Sequence, residues 1–250
     1  MTASGLIARK EAGELLLNPR GLTWLMAVAV ALSTFGLLLV SNTELSLLDN
    51  AQVVYDMVGI VAALGALLAL IVGIDAVAGE RERGSLVPLL LTPVSRNAIL
   101  MGKLGGVAIA WGVIYVLSLP YLWAVGSTGQ NMIDGMLVSA LLGTPVVLGF
   151  GFFGMALGSV AGTTRTALLT GLVTLLVSAS PLLLGPSLRQ SAIGHIFDAV
   201  NPFSAAVNAY DAVIVDSQSI IAQSPHMLVA AIWLILTLVF ARMRFRKIAR

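Results

Sequence analysis

The sequence contains no cysteine and very little charge. Of its 250 residues, 10% are charged and 58% are hydrophobic. The lack of cysteine excludes disulfides, thiolate metal sites and a cysteine nucleophile. A soluble globular domain carries about 25% charged residues, so the low charge indicates a polytopic membrane protein instead. The net charge is only +2 and the basic residues border apolar runs, so nucleic acid is not a predicted partner.

Six apolar runs are long enough to cross a bilayer, which requires roughly 20 residues at about 1.5 Å of rise per residue. They occupy 21–40, 53–74, 104–125, 135–160, 166–184 and 225–241. The fourth run is longer than a membrane needs, and Gly143, Thr144 and Pro145 predict a bend in it. At the end of the same run, the glycines at a spacing of four, Gly154, Gly158 and Gly162, predict close helix contact within the chain. The predicted fold class is therefore all-α, with six transmembrane helices.

The basic residues predict the orientation of these helices. If the N-terminus is cytoplasmic, every lysine and arginine except Arg189 falls on the inner side. This one-sidedness follows the positive-inside bias, so both termini are predicted to be cytoplasmic. The basic tail, residues 242–250, is predicted to bind anionic lipid headgroups.

Two segments outside the spans are predicted to be helical. Residues 4–18 mix Leu6, Ile7 and Leu15 with charges, which is typical of an amphipathic helix on the inner membrane surface. The alternative is a frayed start of the first span. Residues 185–224 form an outer segment far longer than a common connection of about 4–6 residues. Its two apolar-periodic pieces, separated by Asn201-Pro202, predict short helices that dip into or lie on the outer leaflet.

Charge is concentrated in one cytoplasmic segment, residues 78–103, with the sequence AGERERGSLVPLLLTPVSRNAILMGK. An ordinary inner loop explains its arginines but not the alternation of Glu80 and Glu82 with them. It also does not explain the apolar residues 86–91, because a loop without a partner gains nothing from exposing an apolar face. A short helix that docks in a groove of a cytoplasmic protein does need an exposed apolar face. The flanking charges would then fix its register in the groove.

Residues 73–103 resemble the signature of the permease subunits of type-2 ATP-binding-cassette exporters. That signature contains an acidic residue, Glu-Arg, Gly-Ser/Thr-Leu, a leucine run, Pro-x-Ser-Arg and Gly-Lys at this spacing. The matching positions are Asp75, Glu80, Arg81, Gly84, Ser85, Leu86, Leu89, Leu90, Pro93, Ser95, Arg96, Gly102 and Lys103. Pro88 departs from the polar residue often found there. Permeases that help to mature nitrous-oxide reductase share the pattern and are one subgroup that the chain resembles.

The resemblance implies that residues 1–250 form one permease domain in the plasma membrane of a prokaryote. Two six-helix halves, either two copies or two similar permeases, would form the translocation path. The surface helix would help to seat a separate ATPase subunit, and the outer segment would cover the path. Segment 78–103 would couple the permease to the ATPase through Glu80, Arg81, Arg83, Gly84, Leu86, Leu89, Leu90, Pro93 and Arg96.

The sequence lacks a phosphate-binding loop of its own. That loop requires Gly-x-x-x-x-Gly-Lys followed by Ser or Thr. The Gly-Lys pair here, Gly102-Lys103, is followed by Leu104, and Asn97 stands where the first glycine should be. The chain is therefore predicted to bind no cofactor and to be no enzyme, with ATP bound by the partner subunit.

Two other classes of function are possible alternatives. A secondary transporter or channel usually places ionisable groups near the middle of the membrane, and the middles of these six runs have none. An intramembrane hydrolase needs a nucleophile with a base in reach. The chain has two histidines, His195 and His226, both in or beside the outer segment, and no Gly-x-Ser-x-Gly or His-Glu-x-x-His motif.

A metal site is a further alternative on the outer face. Histidine and methionine are ligands that suit copper, and His195, His226, Met132, Met136 and Met227 are all predicted to lie there. Their scattered spacing does not match a known metal-binding pattern, and methionine near a helix end usually packs against neighbours. No metal site is predicted.

Overall fold

The computed structural model describes residues 2–41, 50–126, 132–180, 196–197 and 199–248, and the secondary structure in these ranges is helical, without a strand. The predicted all-α class is confirmed. The main helices are α1 (Ala3–Leu17), α2 (Pro19–Ser41), α3 (Asn50–Ile74), α4 (Leu86–Leu90), α5 (Arg96–Gly126), α6 (Met132–Val138), α7 (Thr144–Val160), α8 (Thr164–Ala179), α9 (Pro202–Tyr210) and α10 (Ser224–Ile248).

Five of the six predicted spans contain helices that are long and apolar enough to cross a membrane. The fifth predicted span contains α8, which is shorter, and the last residues predicted for that span, 181–184, lie outside the described ranges. The helix of the second span extends beyond Ile74 through a π-helical turn, Asp75–Gly79, and an α-helical turn, Glu80–Glu82. This helix extends past its apolar run because the charged side chains of its last turns have partners at the end of the bundle.

The core of the bundle is built around α3 and α7, which pack along each other, with α5 against α3 and α10 against α7. A Cβ at Gly154 would lie 2.4 Å from the carbonyl oxygen of Leu70, so no larger residue fits there without separating the two helices. Gly158 likewise faces the backbone of Ile74 and Ala78. The predicted close contact within the chain is confirmed at Gly154 and Gly158, but a Cβ at Gly162 would meet no described neighbour within 4 Å.

Helix α9 belongs to the outer segment and is buried in the bundle. Its N-cap, Asn201, accepts a hydrogen bond from the backbone N–H of Phe203 at 2.9 Å, and Pro202 occupies the first turn. Every residue of α9 except Asn208 is buried, against α10, α8 and α3. A π-helical turn, Asp211–Val215, follows it. Residues 185–195, predicted as part of this segment, lie outside the described ranges.

Candidate functional site

A buried ion-pair network lies at the charged end of the bundle and joins three helices. Nζ of Lys103 is 2.9 Å from Oε1 of Glu11 and 2.7 Å from Oε2 of Glu80. Nζ of Lys10 is 2.6 Å from Oε1 of Glu80 and 3.1 Å from Oε1 of Glu14. The network therefore links α1, the end of the second span and the start of α5. We call Lys10, Glu11, Glu80 and Lys103 the ion-pair network.

The network is deeply buried at its centre. The side chain of Lys103 is 0% exposed and that of Glu80 is 3% exposed. A buried ion pair gains little net stability, because desolvation offsets the attraction, but removing one partner leaves a buried charge without compensation. The two lysines alternate with the two glutamates, so no charge at the centre is left without an opposite neighbour. The arrangement fixes how the three segments sit against one another.

Lys10 is the most exposed member of the network. Burial alone would lower the pKa of Lys10, but the hydrogen bonds to Glu80 and Glu14 and the negative charges of Glu11 and Glu80 raise the pKa above its ordinary value. Lys10 therefore stays protonated throughout the physiological pH range, and its attachment to Glu80 does not titrate away.

Glycines on α5 allow α1 to lie close enough to complete this network. A Cβ at Gly102 would be 2.6 Å from Cβ of Ile7, and a Cβ at Gly106 would be 2.5 Å from Cβ of Glu11. The pair Gly102-Lys103, which does not match a phosphate-binding loop, thus has a structural role. Gly102 admits α1, and Lys103 beside it binds the carboxylate of Glu11.

Three other charged residues of the segment also bind within the chain. Arg83 donates two hydrogen bonds, each 3.0 Å long, to the two carboxylate oxygens of Asp75 across the π-helical turn. Nη2 of Arg81 donates to the carbonyl oxygen of Ala161. Oε1 of Glu82 accepts a 2.7 Å hydrogen bond from the backbone N–H of Thr164 at the start of α8, where a helix favours negative charge. The end of the second span is therefore attached to α8 as well.

The short apolar helix α4 follows this attachment after a tight turn. Gly84 makes the turn with φ of +73°, in the left-handed region that glycine adopts without strain. Leu86 is buried, and Leu89 and Leu90 pack against the core from partly buried positions. In contrast, Val87 is 58% exposed and Leu91 is 81% exposed.

The structure thus divides the nine residues predicted for ATPase coupling into three groups. Glu80, Arg81, Arg83 and Leu86 bind or pack within the chain, while Leu89 and Leu90 are partly buried. The remaining three, Gly84, Pro93 and Arg96, are exposed. The role of all nine residues in coupling stays a prediction.

Sequence reasoning missed the positioning residues Lys10, Glu11 and Lys103. Lys103 belongs to the family signature, and a lysine in a glycine-rich, otherwise apolar stretch is a signal of a buried partner. The sequence does not show that this partner lies on α1, because 92 positions separate Glu11 from Lys103.

Four of the five residues considered for a metal site, His226, Met132, Met136 and Met227, lie in the described part of the chain. No group of three or more His, Cys, Asp or Glu side chains there is arranged to hold a metal ion. Nδ1 of His226 is 3.1 Å from Oε1 of Gln223, and Met136 and Met227 pack against the core. His195 lies outside the described ranges.

Comparison with known proteins supports the resemblance to transporter permeases. A family model described as ABC-2 family transporter protein matches residues 6–248. A curated relative, the "Probable ABC transporter permease protein NosY" of Stutzerimonas stutzeri, is 30% identical over 105 residues. The aligned region spans 40% of this chain and 37% of the length of that relative. This similarity supports the narrower subgroup named above.

The family match covers nearly the whole chain, including the ion-pair network and the exposed residues Val87 and Leu91. The helices that could cross a membrane fall within the same match. The chain is therefore a multi-pass membrane protein that belongs to the ABC-2 transporter family.

Proposed function

We propose that this chain is the permease subunit of an ATP-binding-cassette exporter. It pairs with a second copy or a similar permease to form the translocation path, and separate ATPase subunits drive it. The chain itself binds no ATP and no cofactor. Secondary transport and channel activity, which need no ATPase, are the alternatives that the experiments below would reveal.

One observation supports this proposal most directly: exposed apolar side chains follow closely after a segment that is bound to the rest of the chain. Glu80 and Arg81 are held by α1, α5 and the carbonyl of Ala161. Within a few residues of them, Val87 and Leu91 are exposed. Two exposed apolar groups on a short helix at a charged, water-facing end are suited to a groove on another protein.

In this proposal, the predicted coupling residues Glu80, Arg81 and Arg83 position the segment through contacts within the chain. Val87 and Leu91, which are not among the nine predicted coupling residues, are proposed to contact the ATPase because their side chains are exposed. A push on α4 would then reach α1, α5 and α8 directly, because the attachment of Glu80–Glu82 involves all three. Coupling in this proposal is mechanical and depends on the ion-pair network.

Assembly and ATP turnover test the proposal. Purified gently from its own host, the chain should bring down an ATP-binding-cassette ATPase, in a complex of two permease and two ATPase subunits. Mass spectrometry identifies the partner, and stripping it should abolish ATP hydrolysis. Purification without any ATPase, or ATP hydrolysis by this chain alone, would contradict the proposal.

The proposed orientation has both termini in the cytoplasm of a prokaryotic cell, with the chain in the plasma membrane. The one-sided distribution of lysine and arginine supports it. Since the chain has no cysteine, single introduced cysteines report their side of the membrane without background. Asp216→Cys should react with an impermeant thiol reagent on intact cells, whereas Ser95→Cys and Arg246→Cys should react only after the cells are opened. Labelling of Ser95→Cys on intact cells would overturn this orientation.

A further inference from the structure

Two fully buried hydroxyl groups, those of Ser139 and Tyr210, lie beside Gly143 in the bundle. The side chains of Ser139 and Tyr210 are both 0% exposed. Neither Oγ of Ser139 nor Oη of Tyr210 has a hydrogen-bond partner in the part of the chain that the structure describes. A buried hydroxyl that has lost water and found no replacement destabilises a fold.

Other hydroxyl groups of the spans show that this is an exception. Ser118, Ser159 and Thr174 each donate to a backbone carbonyl of the preceding turn, at 2.7–2.9 Å. Serine and threonine inside helices commonly satisfy themselves in this way. Ser139 opens the π-helical turn Ser139–Gly143 and makes no such bond.

The tyrosines and tryptophan around this point show the same contrast. Oη of Tyr115 donates to the carbonyl oxygen of Met136 at 2.8 Å, and Nε1 of Trp111 donates to Oγ1 of Thr144 at 2.9 Å. Farther along α5, Tyr121 bonds with Ser33 at 2.9 Å. These three aromatic side chains have partners for their polar atoms, whereas Oη of Tyr210 has none among the described residues.

Gly143 leaves room between the two hydroxyls. A Cβ at Gly143 would lie 3.2 Å from Oη of Tyr210 and 3.8 Å from Oγ of Ser139, with Cζ2 of Trp111 at 3.6 Å. Both oxygens thus face the same small space beside a residue that has no side chain. The next helix, α7, has Pro145 in its first turn, and proline has no N–H to give to the carbonyls of the π-helical turn. Two hydroxyl oxygens therefore border this space.

We infer that a single water molecule binds in this space, held by Ser139 and Tyr210. Buried water typically makes about three hydrogen bonds to groups that would otherwise be unsatisfied. Tyr210 can donate to the water, Ser139 can donate or accept, and a carbonyl of the π-helical turn can accept.

The water joins the outer helix to the fourth span. Tyr210 is the last residue of α9, and Ser139 lies where the fourth span departs from α-helical geometry. Substituting a water for a direct bond leaves the two elements connected but able to shift, since water can re-form its hydrogen bonds in another geometry. The inference concerns the fold of this chain and does not depend on the proposed transport function.

Two conservative variants test the inference on the full-length chain in lipid nanodiscs. Ser139→Ala and Tyr210→Phe should each lower the apparent Tm by about 2–4 °C. The double variant should lower it no further than the worse single variant, because either change releases the same water. As a control, Ser118→Ala removes a buried hydroxyl with its own carbonyl partner, and its effect should add to that of Tyr210→Phe.

Other results would overturn the inference. If either single variant raises the apparent Tm or leaves it unchanged, the hydroxyl is simply unsatisfied and no water binds there. Additive losses would mean that the two groups share no ligand. A structure at a resolution that shows ordered waters should have density between the two oxygens, and a direct contact or an empty space there would also overturn it.

Discussion

Lys103→Ala is expected to destabilise the folded chain by about 3–5 kcal/mol, the loss that follows when one partner is removed from a buried ion pair. Glu11 and Glu80 would remain buried, and Lys10 could compensate only part of their charge, because it already binds Glu80 and Glu14. Denaturant unfolding of the purified chain in mixed micelles measures the loss. Lys247→Ala, which removes an exposed lysine, should have little effect.

The triple variant Lys103→Met, Glu11→Leu, Glu80→Leu separates a lost ion pair from lost packing. Replacing a whole buried ion network by apolar residues of similar volume is often neutral or stabilising, and the half-exposed Lys10 can keep its bond to Glu14. The triple variant should therefore recover most of the stability that Lys103→Ala loses. If Lys103→Ala unfolds like the wild type, the network does not fix the position of α1.

Leu91→Asp is expected to abolish ATPase binding while leaving the permease folded. Leu91 is 81% exposed, so a carboxylate there meets water in the free chain. In the complex, the same carboxylate would be buried without a partner, a penalty of several kcal/mol. Since about 1.4 kcal/mol is a tenfold change in affinity, binding should weaken by at least about a hundredfold. Titration of the purified ATPase onto immobilised permease measures this change.

Two matched variants make that experiment decisive. Ile221 is 85% exposed and lies on the side predicted to be outside, so Ile221→Asp should leave ATPase binding intact. Leu86→Asp should instead destabilise the permease itself, since Leu86 is buried within the chain. Leu89→Asp, at a partly buried position, should affect both folding and binding. If Leu91→Asp binds the ATPase with wild-type affinity, the segment is an ordinary charged loop.

The spans could be predicted because their physical requirement is simple. A bilayer demands roughly 20 apolar residues, and runs of that length are plain in the sequence. The ends of the helices could not be predicted in the same way. Glu80–Glu82 and Arg96–Lys103 continue the helices because their charges find partners on α1, α8 and α5, and those partners are far away in sequence.

The burial of individual residues in the candidate site could not be predicted from the sequence either. Lys103 looks like one more basic residue on the inner side, and its sequence context does not show that it is fully buried. Leu86 and Leu91 are both leucines of one short run, and a helix of five residues is too short for periodicity to separate an inward from an outward face. Only the packing of α4 against the core does so.

The attachment of α1 through Glu11 and Lys103 also sets an order of events during synthesis. At about 5–20 residues per second, Lys103 leaves the ribosome roughly 5–20 s after Glu11, because 92 positions separate them. During that interval the charges of α1 have no partner on α5. The N-terminal helix can therefore reach its final position only after the third span has entered the membrane, and a chain interrupted before that point leaves its first helix undocked and open to quality-control proteases.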